Sequence, residues 1–415
     1  MKFDMKSAKL RVRNFGPIDR GLENGEWIEF PLVTLFCGAQ GSGKSTVTKL
    51  FSIVSWIEKS VFRDPELQID DEFFVRSLEW QGVESYLRPD TEIDYEGRYL
   101  RLSYREQTLS CECLSDSDDP YLVPKISYMP AERNFASIAR NANRVEGLPS
   151  SLVDMQVEFE KAKRFFQKGY RLPANGFSFL FDKDAWIVNG TNDGSTRTHL
   201  ENASSGLQSI VPMLLVSEYL AMNLCQKNDI SRMGLFYDPG TAEKRIRRQE
   251  RVDAILKTQS LTEDQKKSRL EQLFTPGCRF LNIVEEPEQN LYPETQCAVM
   301  NRLLAINNEN SQNRLVVSTH SPYVHNHLIL VAQAAAILLQ KQGDRKAIGQ
   351  ISKIIPENAC VKGGDIAIYE MDGKGGVLRL KAVGGLPTDE NPMNRLLGAF
   401  NQKYADLLEI MDEQG

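Results

Sequence analysis

The pattern of apolar and polar residues along the first 60 positions predicts a strand, a buried strand, a loop and a helix. Residues 9–15 alternate apolar and charged side chains, as a half-buried strand does. Residues 32–37 are almost continuously apolar, which is typical of a strand buried on both faces. A glycine-rich loop follows, and residues 44–56 then carry apolar side chains at helical spacing. This order predicts an α/β fold.

Further apolar runs extend this pattern through the rest of the chain. Residues 125–129, 279–284 and 314–319 each predict a buried core strand. Residues 207–224 predict a strongly apolar helix. A helix over 331–342 and strands over 365–371 and 376–382 complete the pattern, together with a final helix.

These elements divide into a main body with two insertions and an extension. The main body spans residues 1–340 and is expected to have a mixed sheet core. It carries an inserted β-rich lobe at about 61–114 and a charged helical insertion at about 238–276. Residues 341–415 are expected to form an α/β extension packed on this body.

Composition narrows the class of protein. The chain has 415 residues, of which 41% are hydrophobic and 26% charged, as in globular proteins. Its net charge of −6 excludes a globally basic nucleic-acid coat protein, although a local basic patch is compatible with it. No apolar run reaches membrane-helix length, and the first ten residues lack a secretory signal. Seven cysteines without a CxxC pair predict reduced thiols, and hence a cytoplasmic protein with no zinc site.

The glycine-rich loop carries the most specific motif. Its sequence, Gly-Ala-Gln-Gly-Ser-Gly-Lys-Ser, fits GxxxxGK[ST] between a buried strand and a helix. Backbone N–H groups of such a loop surround phosphates, Lys44 reaches the β- and γ-phosphates, and Ser45 is a ligand of Mg²⁺. The predicted ATP-binding residues are Gly38, Ala39, Gln40, Gly41, Ser42, Gly43, Lys44, Ser45 and Thr46.

Two later strands end in side chains that complete such a site. The strand over 279–284 runs into Glu285 and Glu286, predicted respectively to hold Mg²⁺ and to act as the general base. The strand over 314–319 delivers His320, which can hydrogen-bond a γ-phosphate. The alternatives are an acidic surface turn and a core histidine. His325 and His327, just downstream, are expected on a helix surface and not as metal ligands.

A small polar patch opens the apolar helix after residue 206. Ser204, Ser205 and Gly206 can form an anion site at a helix N-terminus. Taken in isolation, the same residues are better explained as a serine N-cap followed by a glycine.

Together these motifs resemble the ABC-class ATPase heads of the SMC, RecF and OLD group. The segments 13–18, 128–133 and 285–293 also look like that group. The resemblance implies a Walker A loop, a Walker B strand, a switch histidine at His320, and a signature at Ser204, Ser205 and Gly206 that acts in trans. It also implies ATP and Mg²⁺ as cofactors and a head-to-tail homodimer as the unit of assembly. The chain departs from the pattern at Ser205, Leu207 and Glu285, where glycine, glutamine and aspartate are usual.

Features that the sequence lacks argue against several members of this group. No heptad pattern spans Ser45 to Ser204, which argues against long-armed SMC and break-repair heads. The stretch after His320 is too short for an OLD-type nuclease domain. What remains resembles the ATPase subunits of the anti-phage modules Septu (PtuA) and PARIS (AriA), in which a separate nuclease or toxin is the effector.

Two rival functions remain open at this point. One is a RecF-like repair or replication ATPase that binds DNA directly, and the other is a nucleotide-gated scaffold with little turnover. The 238–276 insertion is either a solvated hairpin or a docking surface that begins at Arg245, Arg247 and Arg248. Gln81 is a weak candidate for the glutamine that contacts the nucleotide in this group.

Overall fold

The computed structural model describes residues 7–64, 67–114, 121–139, 147–173, 176–182, 185–190, 197–224 and 277–412, with five isolated residues between 252 and 266. Most of the predicted charged insertion, including Arg245, Arg247 and Arg248, therefore lies outside the described residues. The strands are β1 (Ala8–Phe15), β2 (Gly21–Leu22), β3 (Ile28–Phe30), β4 (Val33–Gly38), β5 (Leu87–Glu96), β6 (Leu100–Arg105), β7 (Thr108–Cys113), β8 (Val123–Met129), β9 (Tyr170–Arg171), β10 (Phe177–Asp182), β11 (Ala185–Gly190), β12 (Arg197–His199), β13 (Cys278–Glu285), β14 (Arg314–Thr319), β15 (Ile366–Met371) and β16 (Gly376–Arg379). The helices are α1 (Lys44–Arg63), α2 (Asp71–Glu79), α3 (Phe135–Ile138), α4 (Ser150–Phe165), α5 (Ser205–Met222), α6 (Pro293–Asn308), α7 (Pro322–Gln340), α8 (Arg345–Ile351) and α9 (Pro392–Asp412).

A seven-stranded main sheet forms the centre of the fold. Its strand order is β2-β16-β15-β4-β14-β13-β8, and the five strands from β15 to β8 are mutually parallel. The carboxyl ends of β4, β14, β13 and β8 therefore meet at one edge, which is where open α/β sheets bind ligands. The last residues of these four strands therefore lie at this edge: Gly38, Thr319, Glu285 and Met129.

Both faces of the main sheet are covered, as the continuous apolar runs predict. Alternate side chains of one strand point to opposite faces. Phe36 of β4 joins the core beneath α1, whereas its neighbours Leu35 and Cys37 join the core shared with α5, α6 and α7. The sheet is thus a layer between α1 on one face and a helical layer on the other.

The predicted β-rich lobe continues a sheet that begins at the start of the chain. β5 pairs antiparallel with β1, and the full order is β3-β1-β5-β6-β7. The strands after residue 340 belong to the main sheet. β15 lies directly beside β4, with Ile366 opposite Val33 and Met371 opposite Gly38. The segment after residue 340 thus supplies two strands, β15 and β16, to the main sheet.

Helix α7 corrects the prediction for two histidines. His325 and His327 are buried, 0% and 4% exposed, and not on a helix surface. His327 Nε2 lies 2.8 Å from Asn301 Oδ1, and burial lowers the pKa of His327 to about 4. Among the described helices, α7 is long and apolar enough to cross a membrane, but its buried face packs in the core.

Candidate functional site

The P-loop joins β4 to α1 and turns sharply at Gly43. Gly43 has a φ of 100°, and a Cβ there would collide with Ile18. Only glycine fits both conditions. Ala39, Gln40 and Gly41 are exposed on the outside of the loop, and Ser42 is held inside by its hydroxyl, which donates to the Ala39 carbonyl at 2.7 Å.

Lys44 closes the loop on itself. Its Nζ donates to the carbonyl oxygens of Gly38 at 3.0 Å and Ala39 at 2.8 Å. The side chain is 5% exposed, and burial lowers its pKa. A buried ammonium whose hydrogen bonds go to uncharged acceptors and not to a carboxylate gains strongly from an anion, so Lys44 is suited to bind a phosphate.

Glu285 ends β13 and is tied to both neighbouring elements. Its Oε1 accepts a 2.6 Å hydrogen bond from Tyr128 Oη, and its Oε2 accepts a 3.3 Å bond from the Ala131 amide. The Tyr128 oxygen also lies 3.4 Å from Thr48 Oγ1, near the start of α1. Because burial raises the pKa of Tyr128 well above its usual range, the phenol stays a donor to the carboxylate.

His320 lies between Lys44 and Glu286. Its Nδ1 is 3.4 Å from Lys44 Nζ, and its Nε2 is 3.4 Å from Glu286 Oε1. Lysine can only donate, so Nδ1 is the accepting nitrogen and Nε2 carries the proton that faces the carboxylate. The hydrogen bond from His320 is the largest cause of a lowered Glu286 pKa. The chain therefore brings together three residues predicted to act on the phosphate and the attacking water.

The backbone at Glu286 adopts an unusual conformation. Its φ is 44°, in the left-handed region, and its amide donates to the Ser318 carbonyl at 2.8 Å. Non-glycine residues seldom adopt this conformation unless the surroundings hold them. The turn after β13 is thus fixed from the side of β14.

Arg133 holds the same turn from the side of β8, a role that sequence reasoning missed. Its guanidinium is 0% exposed and donates through Nη1 to the Glu285 carbonyl at 2.6 Å and through Nη2 to the Glu286 carbonyl at 2.7 Å. Burial lowers its pKa to about 10. The motif over 128–133 was noticed in the sequence, but only the fold places it against the acidic turn.

Glu288 is a third carboxylate at this edge whose role the sequence did not reveal. Its Oε1 accepts from Thr319 Oγ1 at 2.8 Å and from the His320 amide at 2.7 Å. Its Oε2 is buried without a hydrogen-bond partner among the described residues, and burial raises the pKa of the group. Glu288 therefore fixes the backbone from which His320 projects.

The residues of the predicted signature lie at the start of α5. Ser204 and Ser205 are exposed at the N-terminus of α5, and Ser204 makes no side-chain cap bond. Gly206 faces the loop after β13, where an added Cβ would lie 2.7 Å from the Asn290 carbonyl oxygen. Within the described part of the chain, no hydrogen bond joins these three residues to the P-loop.

Gln81 is not placed to contact a nucleotide bound at the loop. Its Nε2 lies 3.4 Å from Ser52 Oγ, and the side chain is 1% exposed. Ser52 is eight residues after Lys44, about 12 Å along α1 at ~1.5 Å per residue. Gln81 is therefore a core glutamine.

The residues at this edge are compatible with Mg²⁺ and a nucleotide. Ser45 is exposed in the first turn of α1. Thr48 of the same helix contacts Tyr128, and Tyr128 in turn donates to Glu285, so that these contacts connect the start of α1 to Glu285. Hydroxyl and carboxylate oxygens are the ligands Mg²⁺ prefers, usually with several waters retained. Each Glu285 oxygen accepts one protein hydrogen bond and keeps a further lone pair for such a water. The described residues contain no group of three or more His, Cys, Asp or Glu that could hold a metal by themselves.

Comparison with known proteins shows a distant likeness to SMC heads. No family model matches the chain, and no curated protein matches it. An SMC head bound to the C-winged helix domain of ScpA is 12% identical over 77% of this chain and 90% of its own, with a TM-score of 0.36. The SMC head domain from Thermotoga maritima is 11% identical over 78% and 92%, with a TM-score of 0.32. An SMC head with an extended coiled coil, bound to the C-terminal domain of ScpA derived from Pyrococcus furiosus, is 11% identical over 96% and 100%, with a TM-score of 0.35.

Proposed function

We propose that this chain is an ATP-hydrolysing ABC-type head. The observation that supports this most is the run of contacts from Lys44 through His320 to Glu286 beside a complete P-loop. A phosphate-binding cation, a hydrogen-bond donor and a carboxylate at one sheet edge are the parts that phosphoryl transfer to water requires. ATP is the proposed substrate.

In this proposal each side chain has a separate role. Lys44 and the amides at the start of α1 bind the β- and γ-phosphates. Glu286 orients the attacking water and accepts its proton, and its lowered pKa keeps it ionised at neutral pH. His320 orients Glu286 through its Nε2–H, and a bound γ-phosphate would compete with the carboxylate for that proton. Ser45 and Glu285 would hold Mg²⁺, which neutralises phosphate charge when bound.

The proposed unit of assembly is a head-to-tail homodimer. Ser204 and Ser205 are exposed at the N-terminus of an 18-residue helix and make no bond to the P-loop of their own chain within the described residues. Such a helix start attracts a phosphate. A two-fold dimer would place it over the γ-phosphate of the second copy and complete two sites at once.

The proposed biological role is a cytoplasmic switch subunit of an anti-phage system that controls a separate nuclease or toxin. The support is the resemblance to such ATPases and the absence of a long helical arm among the described residues between the P-loop and α5. Within the described residues between the P-loop and α5, the longest helix after β8 is α4, with 16 residues. Affinity purification of the tagged chain with its neighbouring genes tests this role. A nuclease or toxin that co-purifies in an ATP-dependent way supports it, whereas ATP turnover that rises with DNA and needs no protein partner contradicts it.

A cationic cluster provides an observation for the RecF-like alternative. Burial, together with the nearby charges of Arg63 and Lys125, lowers the pKa of Lys59 to about 7. Among the described residues, no carboxylate forms an ion pair with Lys59 or Arg63. Lys125 pairs with Glu158 at 3.3 Å, but the charges of Lys59 and Arg63 have no such partner among these residues and would attract phosphates. DNA affinity that falls in a Lys59→Ala/Arg63→Ala variant would favour this alternative over the defence role.

A further inference from the structure

The strand that leads into the P-loop has different neighbours on its two sides. On one side lies β14, which is followed by His320, and beyond it lies β13, which runs into Glu286. On the other side lies β15, with Met371 opposite Gly38. In the proposed site the γ-phosphate points toward His320 and Glu286. The rest of a nucleotide bound along the loop then extends toward the side of β15.

Two turns border the P-loop on the side of β15. The turn after β1 contacts the last glycine of the loop, because a Cβ on Gly43 would collide with Ile18 and crowd Pro17. The end of β15, where the β15–β16 hairpin begins, contacts the first glycine, because a Cβ on Gly38 would lie 2.5 Å from the Met371 carbonyl oxygen. Side chains that project from these two turns are therefore the first that the nucleoside of a bound nucleotide would meet.

The two turns are hydrogen-bonded to each other. The Gly375 carbonyl of the hairpin accepts from the amides of Asp19 at 3.0 Å and Arg20 at 2.9 Å. Asp372 shapes the hairpin itself, since its Oδ1 accepts from two hairpin amides at 2.7 and 2.8 Å. One end of the chain thus supplies the first turn and the other end supplies the second, and together they form one hydrogen-bonded unit beside the P-loop.

Arg20 is the side chain of these two turns that suits a nucleobase. Its Nη2 donates to Asp372 Oδ2 at 2.6 Å and to the Lys374 carbonyl at 3.3 Å, which fixes one edge of the guanidinium. The side chain is nevertheless 64% exposed, so much of the planar group is open to solvent. A planar cation of this kind can stack on the face of a base. An exposed ion pair contributes little to stability, so folding alone does not account for this arrangement.

We propose that Arg20 stacks on the base of the bound nucleotide and that Asp372 is the residue that positions it. This inference rests on the proposed ATPase function and adds to it the group that recognises the base. A stacked guanidinium contacts the face of a ring and not its edge, so it favours the larger purines and does not separate ATP from GTP. The segment after residue 340 would then take part in substrate binding as well as in the main sheet.

Ligands that lack the base separate contacts to the base from contacts to the phosphates. ATP, ribose 5-triphosphate and tripolyphosphate are titrated into the full chain by isothermal titration calorimetry with Mg²⁺ present. Arg20→Ala is expected to weaken ATP binding about 10-fold and to leave the affinities of the two base-free ligands unchanged. Arg20→Lys should weaken ATP binding similarly, because lysine keeps the charge but has no planar face. The control is Arg379→Ala, which removes a comparable exposed ion pair, with Glu29, at the far end of β16 and should bind ATP like the wild type.

Asp372→Asn tests the positioning role. The side-chain oxygen of asparagine can still accept from the hairpin amides, whereas its nitrogen cannot accept from Arg20. ATP affinity should fall, by less than in Arg20→Ala, and tripolyphosphate affinity should not change. ATP affinity equal to that of the wild type would show that Asp372 does not position Arg20.

The same titrations identify a failure of the proposal. If Arg20→Ala also weakens the binding of ribose 5-triphosphate or tripolyphosphate, Arg20 contacts the ribose or the phosphates. If Arg20→Ala weakens none of the three, Arg20 forms only a surface ion pair. Either result overturns the proposal and leaves the P-loop as the phosphate site. A wild type that binds none of the three ligands would instead overturn the proposed ATPase function, on which this inference rests.

Discussion

Glu286 Oε1 lies 3.4 Å from His320 Nε2, across the gap between two neighbouring parallel strands. The contact fixes the orientation of the carboxylate and lowers its pKa. The far side of the imidazole faces Lys44. A nucleotide that draws Lys44 toward its phosphates would therefore change the surroundings of Glu286, the proposed general base, and would link binding to the proposed hydrolysis.

Lys44→Ala should abolish ATP binding, because no other described side chain of the loop supplies a positive charge to the β- and γ-phosphates. Lys49→Ala is a matched control, since Lys49 lies on the same helix beyond the loop. Titration with a fluorescent ATP analogue should show binding only for the control. Binding by Lys44→Ala at wild-type affinity would mean that the nucleotide binds elsewhere.

Arg133→Lys should keep a positive charge but cannot reproduce both hydrogen bonds to the acidic turn. An unsatisfied buried carbonyl costs about 1–3 kcal/mol in stability. A displaced base should lower kcat by about 10²-fold. Single-turnover hydrolysis and urea unfolding measure the two effects, while ATP affinity should change little. An unchanged kcat would show that Arg133 does not position Glu286.

Ser204→Arg should leave the fold and ATP binding intact, because the Ser204 side chain is exposed and makes no cap bond, but it should block the proposed composite site of the dimer. Ser110→Arg, on exposed β7, is the control. In an equal mixture of Ser204→Arg and Lys44→Ala, half the dimers are mixed and each has one intact site. Turnover should recover to about a quarter of the wild-type rate by symmetry. A mixture as inactive as its components would argue against the head-to-tail arrangement.

Stability should fall in mild acid, because His327 is buried as a neutral ring. Its pKa is about 4 in the folded chain against 6.5 when unfolded, so the unfolded state binds more protons between these values. Stability is therefore lost as the pH falls below 6.5. Between pH 7 and pH 5, His327 lowers the free energy of unfolding by about 2 kcal/mol. In His327→Gln the glutamine can still donate to Asn301 but does not titrate. The variant should therefore lose less stability than the wild type between pH 7 and pH 5, as measured by urea unfolding at both pH values.

The sequence was most informative where a signal was local. The P-loop needs a strand, a short loop and a helix in direct succession; only five residues separate β4 from α1, and both elements lie where the apolar pattern predicts them. Parallel strands then bring Glu285, Glu286 and His320 to the same edge, as expected from the ends of β13 and β14.

Features that depend on distant partners could not be predicted in this way. Arg133 acts on carbonyl groups about 150 residues away, with sequence separations of 152 and 153, and β15 joins β4 from the other end of the chain. His325 and His327 were predicted on the surface because polar residues in a helix usually are. Asn391 and Asn301 provide their partners inside the core, and neither position carries a sequence signal for this.

The most direct test of the proposed hydrolytic site compares ATP binding with phosphate release in Glu286→Gln. This change keeps the shape of the side chain and its contact with His320 but removes the proton acceptor. Equilibrium binding should match the wild type, while phosphate release falls by about 10²–10⁴-fold. Phosphate release at the wild-type rate, with binding intact, would contradict the assignment of Glu286 as the general base and with it the proposed hydrolytic site.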